Sequence, residues 1–477
     1  MHLPNMKEAK IRTKGKPNII QASNLKSDKF NGKKFYIRTY GCQMNVHDSE
    51  EIKGILCNLG FTETENLEES DLVVLNTCAI RENAHDKVFG FLGRVKHLKK
   101  AKPELIVCVG GCMPEQENVA KKLKEKYPYV DIVFGTHNIN DLGRLILECN
   151  HKQEIEVYSI EGDVYEGMDY KRDSRVTAWV NIMYGCDKFC TYCIVPYTRG
   201  KQRSRKLEGI VEEVEKLKDD GYQEITLLGQ NVNAYGKDLD EGYDFATLLE
   251  SVAKTNIPRV RFVTSHPWDF TDEMIEIIAR YKNIMPYIHL PLQSGSTNIL
   301  RLMGRRYTKE EYLTLYHKIK NKIPKVSITT DIIVGFPNET ESDFEETLEV
   351  VNECQFDGAF TFIYSPREGT PAAKIKDNVD KKTKEERLQR LNEKINEYSL
   401  MHNKEYLGKI EKVLIIGPSE KGENMMCGYT ETMKLVNIKN ALNDFGKIID
   451  VKITDAKSFS LDGEKIEITQ RTPKTLV

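Results

Sequence analysis

The chain has 477 residues, 40% of them hydrophobic and 30% charged, which supplies several buried cores and excludes wholesale disorder. Its 70 Lys and Arg nearly cancel its 72 Asp and Glu, leaving −2, so a globally basic nucleic-acid binder is not indicated, although a local patch could exist. No apolar run of about 18 residues would span a membrane, no signal-peptide core is present, and 11 cysteines in such a chain argue for metal or redox chemistry, not disulfides.

Residues 1–34 carry nine Lys/Arg against Glu8 and Asp28, and read as a flexible basic arm, most simply a solvated tail. From Phe35 the texture alternates between apolar runs and amphipathic stretches. Phe35–Ile37, Leu72–Leu75, Leu105–Val109 and Ile132–Phe134 predict strands with helices between them, an open parallel α/β domain over 35–150. Residues 151–174 are polar and read as a linker.

A second α/β series follows over 175–403. Its predicted strands are Val176–Met183, Glu224–Leu228, Val260–Thr264, Tyr287–Leu290, Ser327–Val334 and Ala359–Tyr364, separated by helical patterns such as Leu207–Asp219, Asp272–Ile278 and Lys309–Ile319. Six strand–helix units predict a partial (β/α) barrel, with a doubly wound open sheet as the alternative. Thr383–Glu386 has the form of a capping box, and Leu388, Leu391, Ile395 and Tyr398 follow at helical spacing. Beyond Lys404 the chain reads as strands only: Val413–Ile416, Lys434–Ile438, Ile448–Ile453 and Ile466–Ile468. A small antiparallel β-barrel over 404–470 fits. Twelve Lys/Arg and eleven Asp/Glu from Lys404 to Val477 offer no charge-based reason to bind RNA.

Cys186, Cys190 and Cys193 form C-x3-C-x2-C just past the first strand of the second series, at the mouth where barrels place their chemistry. Three such thiolates can hold three corners of a cubane iron–sulfur cluster and leave one iron open. A structural zinc site would close with a fourth Cys or His, and none lies near in sequence. Cys42, Cys78 and Cys112 are far apart in sequence, but each follows a predicted strand, so an open parallel sheet would bring them to one crevice as a second three-ligand site. Gly41, Gly110 and Gly111 would allow close approach to a bulky cluster; three ordinary core cysteines are the plainer alternative. Cys57, Cys108, Cys149, Cys354 and Cys427 receive no catalytic role.

These motifs carry a resemblance. C-x3-C-x2-C with Tyr192 before the last Cys resembles the radical S-adenosylmethionine superfamily. The three-domain order, with Thr39–Asn45, Asn76–Ala84, Gly110–Glu115, Pro196–Gly200 and Arg203–Arg205, is similar to the methylthiotransferase family across 35–470. Leu228–Gly236 and Ser265–Pro267 look most like its tRNA-acting branch, and the terminal barrel resembles the TRAM module that helps hold nucleic acid. The resemblance implies that Cys186, Cys190 and Cys193 hold a [4Fe–4S] cluster that cleaves S-adenosylmethionine. It further implies that Cys42, Cys78 and Cys112 hold an auxiliary [4Fe–4S] cluster carrying sulfur, and that the product is a methylthio group on C2 of N6-isopentenyladenosine beside the anticodon. A ribosomal-protein aspartate as substrate, or a non-catalytic iron–sulfur RNA-binding protein, are the alternatives.

Tyr192, Gln230, Asn231, Ser265 and Asp331 are candidate cofactor contacts, because they adjoin the cysteines or end strands. Asp331, Gly335 and Pro337 either line the nucleoside pocket or simply turn the chain from strand into helix. Arg199, Lys201, Arg203, Arg205 and Lys206 form a basic run that either faces phosphate or solvates the approach to the next helix. The Gly pairs spell neither a dinucleotide fingerprint nor a P-loop. An external low-potential electron donor of flavodoxin or ferredoxin type is expected, as are a monomer, a cytoplasmic location and no membrane contact.

Overall fold

The computed structural model describes residues 1–5, 18–79, 82–158 and 162–466. The N-terminal domain is a parallel six-stranded sheet in the order Thr62–Glu63, Lys34–Tyr40, Leu72–Thr77, Ile106–Gly111, Ile132–Phe134, Glu154–Glu156. Its central strands are apolar throughout because both faces are covered. Val73, Leu75, Val107 and Val109 enter one core with Leu92 and Val95 of the helix Glu82–Ala101. Leu72, Val74 and Cys108 enter the other with Ile52 and Leu56 of the helix Gln43–Asn58.

Two expectations fail here. The linker supplies the sheet's last strand at Glu154–Glu156, and its Val164–Glu166 pairs in parallel with Ile19–Gln21. The flexible arm is therefore, over 18–34, a strap packed across this domain, with Phe30 buried against Phe61. Sparse apolar residues hid it, because a short edge strand needs only a few. Residues 6–17 of that arm, and Ile80–Arg81 of the Asn76–Ala84 motif, lie outside the described residues.

The central domain is an open parallel array of six strands in sequence order. Thr177–Asn181, Glu224–Leu228 and Arg259–Phe262 form one run of three; Tyr287–His289, Ser327–Val334 and Gly358–Ile363 form the other. Val260 joins the runs, since its N–H donates to Asn283 O at 2.7 Å and its carbonyl accepts from Met285 N at 2.8 Å. The partial barrel is thus the observed form. The helix Lys381–Lys404 closes its side, and its cap is Asp380, whose carboxylate accepts from Thr383 N at 3.1 Å. The predicted capping box at Thr383 stands one turn too late. Asp380 makes the better cap, as its ionised oxygen faces the helix N-terminus.

The C-terminal domain is a closed five-stranded barrel in the order Ile410–Pro418, Met425–Thr430, Leu435–Lys439, Leu461–Lys465, Ile448–Ala456. Closure pairs Leu435–Lys439 with Leu461–Lys465 in parallel, and the other four pairings are antiparallel. Met425–Thr430 escaped sequence reading because Gly428 interrupts its pattern. A strand was expected at Ile466–Ile468; the last strand is Leu461–Lys465, and 467–477 lie outside the described residues. Among the described residues no helix is long and apolar enough to cross a membrane.

One buried side chain reaches from the core into the barrel. Arg259, buried on a core strand, donates to Tyr429 O at 2.8 Å and Lys412 O at 2.9 Å, both barrel carbonyls. Replacing it with Met leaves two buried acceptors unpaired. Arg259→Met should cost about 2–4 kcal/mol and expose the junction near residue 404. Thermal melting and limited proteolysis check this; a barrel as protease-resistant as the wild type would refute it.

Candidate metal centre

The short strand Met183–Tyr184 delivers the chain to Gly185, whose φ of +70° is followed by the cysteine loop. A Cβ here would lie 2.1 Å from Lys201 O, so this turn requires glycine. The loop is then pinned on both sides. Thr191 N donates to Met303 O at 2.9 Å, Thr191 Oγ1 to Leu302 O at 2.8 Å, and Ala372 N to Thr191 O at 2.9 Å. Tyr192 packs against Ile299, Met303, Phe336, Tyr364 and Ala372 and acts as a wedge that fixes the loop.

The three thiols of this loop are held together. Burial pushes Cys186 up to about 12, with Cys190 beside it adding to the rise. Cys193 is pushed up by burial and by both other thiols. Arg305 Nη1 donates to Cys190 Sγ at 3.4 Å, and its own guanidinium is tied to Tyr307 Oη and Pro291 O. Neighbouring part-buried thiols with cations beside them ionise when a metal arrives, which suits a cluster ligand set.

Strand ends complete this side. Asn231 Nδ2 donates to Asp269 Oδ2 at 2.7 Å, and Asp269 also takes Lys188 of the cysteine loop at 2.6 Å and Lys237 at 2.7 Å. Burial alone would raise the Asp269 carboxyl, but these donors hold it below its ordinary value. Asn231 is thereby oriented with Oδ1 unpaired. Gln230 Oε1 and Ser265 Oγ are likewise buried without a partner. Three orphaned oxygens at adjacent strand ends ask for donors from a ligand, such as an ammonium group or hydroxyls. Asp331 departs from this group. It lies within Ser327–Val334 rather than at its end, 3.3 Å from His289 Nε2. Gly335 and Pro337 form the turn expected of the plainer reading: Gly335 N donates to Glu339, which pairs with buried Arg387 at 2.8 Å.

The second cysteine set follows from register. Tyr40 pairs with Thr77 and Thr77 with Gly111, so one row of the sheet ends just before Cys42, Cys78 and Cys112. Cys42 is the N-cap of Gln43–Asn58. A hydrogen bond from Cys78, with Arg199 nearby and against the effect of burial, lowers its thiol to about 5. Cys112, more deeply buried, is pushed up to about 11. Gly111 has φ +95°, and a Cβ there would meet Thr77 O at 2.4 Å. Gly41 and Gly110 make room for Asn45 and Phe134, so these glycines serve the fold rather than clearance for a cluster.

The two sets share one seam. Arg199, only 5% exposed, donates from Nε to Cys112 Sγ at 3.2 Å and from Nη2 to Asp48 Oδ2 at 2.5 Å. Ala79 and Cys112 form one apolar cluster with Ile194 and Tyr197, which directly follow Cys193. The three arginines of the basic run are therefore buried in contacts within the protein instead of facing phosphate or solvent. Arg203 donates to Gly162 O and Arg199 O, and Arg205 binds Glu166 at 2.6 Å and Glu213 at 2.7 Å. Lys206 alone of the run is exposed. Asp48, Asp269 and Arg305 were missed in the sequence, because nothing local marks a charge whose partner is distant.

Residues 34–135 match the Uncharacterized protein family UPF0004, 180–351 the Radical SAM superfamily, and 404–466 the TRAM domain. The tRNA-2-methylthio-N(6)-dimethylallyladenosine synthase of Staphylococcus epidermidis is 53% identical over 479 residues, 99% of this chain and 93% of the relative. The chain belongs to this family. The Bacillus subtilis synthase is 54% identical over 97% of this chain and 92% of its own length. Among solved structures, the radical S-adenosylmethionine methyltransferase TsrM of Kitasatospora setae shares the fold, with TM-score 0.53 at 12% identity over 72% of this chain and 75% of its own. Membership of the Radical SAM superfamily carries S-adenosylmethionine and a [4Fe–4S] cluster as cofactors.

Buried charge at the seam gives a pH signature. Burial, and then Asp48, push Glu51 up to about 8. The folded state then holds a proton that the unfolded chain releases above its ordinary value, so stability falls as pH rises from about 4.5 to about 8. Glu51→Gln should melt higher than the wild type at pH 9, and the gain should shrink toward pH 5. An equal gain at both pH values would refute the assignment.

Proposed function

We propose that this chain is a radical enzyme that adds a methylthio group to C2 of N6-isopentenyladenosine next to the anticodon of tRNA. The observation that carries this is the shared seam: Arg199, six residues beyond Cys193, touches Cys112 of the other cysteine set. An aromatic C–H bond has no leaving group and little acidity, so acid–base or nucleophilic side chains cannot open it. When bound, the clusters and S-adenosylmethionine supply the radical, the sulfur and the methyl group.

In this proposal Cys186, Cys190 and Cys193 hold one [4Fe–4S] cluster with an open iron, and Cys42, Cys78 and Cys112 hold a second. Arg305 and Arg199 each place a cation on one thiolate of a set, which favours the charged ligand in a buried site. Gln230, Asn231 and Ser265 orient S-adenosylmethionine through their unpaired oxygens. The interdomain apolar cluster keeps water from the seam. The terminal barrel, with exposed Leu442, Phe445 and Phe459, meets the tRNA. An external donor of flavodoxin or ferredoxin type supplies the electron.

Anaerobically reconstituted protein should hold about eight irons, and triple Cys→Ala at either set should halve this. Loss of all iron from one folded triple mutant would contradict independent sites. Roles should separate as well. Cys186→Ala should abolish reductive cleavage of S-adenosylmethionine, whereas Cys78→Ala should keep cleavage and lose sulfur insertion. Substrate is tested by offering isopentenylated tRNA, unmodified tRNA and the small ribosomal-subunit protein to the same enzyme, with mass spectrometry of each. Methylthiolation of the ribosomal protein alone would overturn the tRNA assignment.

A further inference from the structure

The last strand of the central domain, Gly358–Ile363, has two unlike faces. Ala359 and Ile363 pack into the core under the helices, and Thr361 Oγ1 donates to Asn392 Oδ1 of the long helix at 2.6 Å. Alternation turns Phe360 and Phe362 the other way, toward the lumen. They are 60% and 51% exposed. The strand has no neighbour on its far side among the described residues, so the two rings stand side by side at the open edge of the barrel.

Register sets their company. Phe360 lies beside Asp331, and Phe362 beside Ile333. Asp331 Oδ1 is 3.3 Å from His289 Nε2, and the His289 ring meets the Phe360 ring edge to face, with centroids 5.9 Å apart. All six strands run parallel toward the mouth that carries the cysteine loop and the orphaned oxygens, and Ile333, beside Phe362, packs on the apolar cluster that also holds Tyr192 of that loop. Two adjacent exposed phenyl rings are unusual on a surface that has no apolar partner.

We infer that Phe360 and Phe362 receive the target adenine and its N6 alkenyl chain, with Asp331, steadied by His289, accepting the N6–H. The inference deepens the tRNA reading above and rests on it. A phenyl face stacks on any base and also accepts a branched alkenyl group. A carboxylate accepts but cannot donate when ionised, so it reads the one N–H that remains on a singly substituted N6. With C2 turned toward the mouth, the N6 substituent must lie against the lumen wall, where the ledge stands. The N–H excludes bases with no donor at that position, and the chain distinguishes this nucleotide from plain adenosine.

The test measures tRNA affinity of the full-length, reconstituted enzyme, using one tRNA with and without the isopentenyl group. The wild type should prefer the modified tRNA. Phe360→Ala and Phe362→Ala should each lose about 5- to 100-fold for modified tRNA and less for unmodified tRNA, which offers the rings a base but no alkenyl chain, so that the preference narrows. Phe→Trp at either position should restore it. Iron content and melting temperature report folding; if an alanine variant loses iron, Phe→Leu decides, since it keeps apolar bulk and removes the ring. A preference unchanged in the folded variants would overturn the ledge. Unchanged preference with slowed reduction by a protein donor would assign the ledge to that donor and also overturn it. A wild type with no preference would instead refute the substrate reading, a separate result.

Discussion

The buried pair Asp48–Arg199 is the constraint around which the other parts are placed. Asp48 comes from the first helix of the N-terminal domain and Arg199 from the segment after Cys193 of the central domain, so the pair exists only when the two domains meet in one relation. Both charges are withdrawn from water, which costs several kcal/mol unless geometry and further hydrogen bonds repay it. Arg199 spends its remaining donor on Cys112, and its neighbours Arg172 and Arg205 are satisfied by Glu50, Glu166 and Glu213. Such a network has few alternative arrangements, so it fixes orientation more than it adds stability. The relation between the two cysteine sets is thus fixed by an ion pair as well as by the strands and loop that carry the thiols.

The same logic extends to the other end of the molecule. Arg259 and Lys434 cross from core to barrel, the first to carbonyls and the second to Asp357 at 2.9 Å. Lys434 and Asp357 are both nearly buried, and the lysine holds the Asp357 carboxyl below its ordinary value although burial acts against it. Ser399 and Asn403 of the long helix donate to carbonyls at 457–458. The barrel is therefore built onto the core rather than tethered to it, and an RNA bound by its exposed rings would be presented in a defined direction.

Fold and site were legible to different depths. Apolar runs covered on both faces, as at Leu72–Leu75 and Ser327–Val334, announce themselves because burial demands continuous or alternating hydrophobicity. C-x3-C-x2-C is local, so its chemistry can be read without a fold. Cys42, Cys78 and Cys112 needed one structural step, the register that ends three strands in one row. What escaped was everything with a distant partner. Arg199 read as either a phosphate contact or a solvated helix entry because a sequence shows its charge and hides Asp48. Ile19–Gln21 looked like a tail because its partner Val164–Glu166 lies far along the chain. The ledge escaped for another reason: Phe360 and Phe362 in an apolar strand look like core, and only exposure reveals that they are not.

That strap bears on how the protein is made. Val164–Glu166 is synthesised 145 residues after Ile19–Gln21, the strand it pairs with. At about 5–20 residues per second the early strand waits roughly 7–30 s with its apolar side chains unpaired. The N-terminal sheet, complete only with Glu154–Glu156, cannot be clasped before then. Nascent chains halted within this interval should be open to proteases and holding chaperones, and those a little longer should be shielded from both.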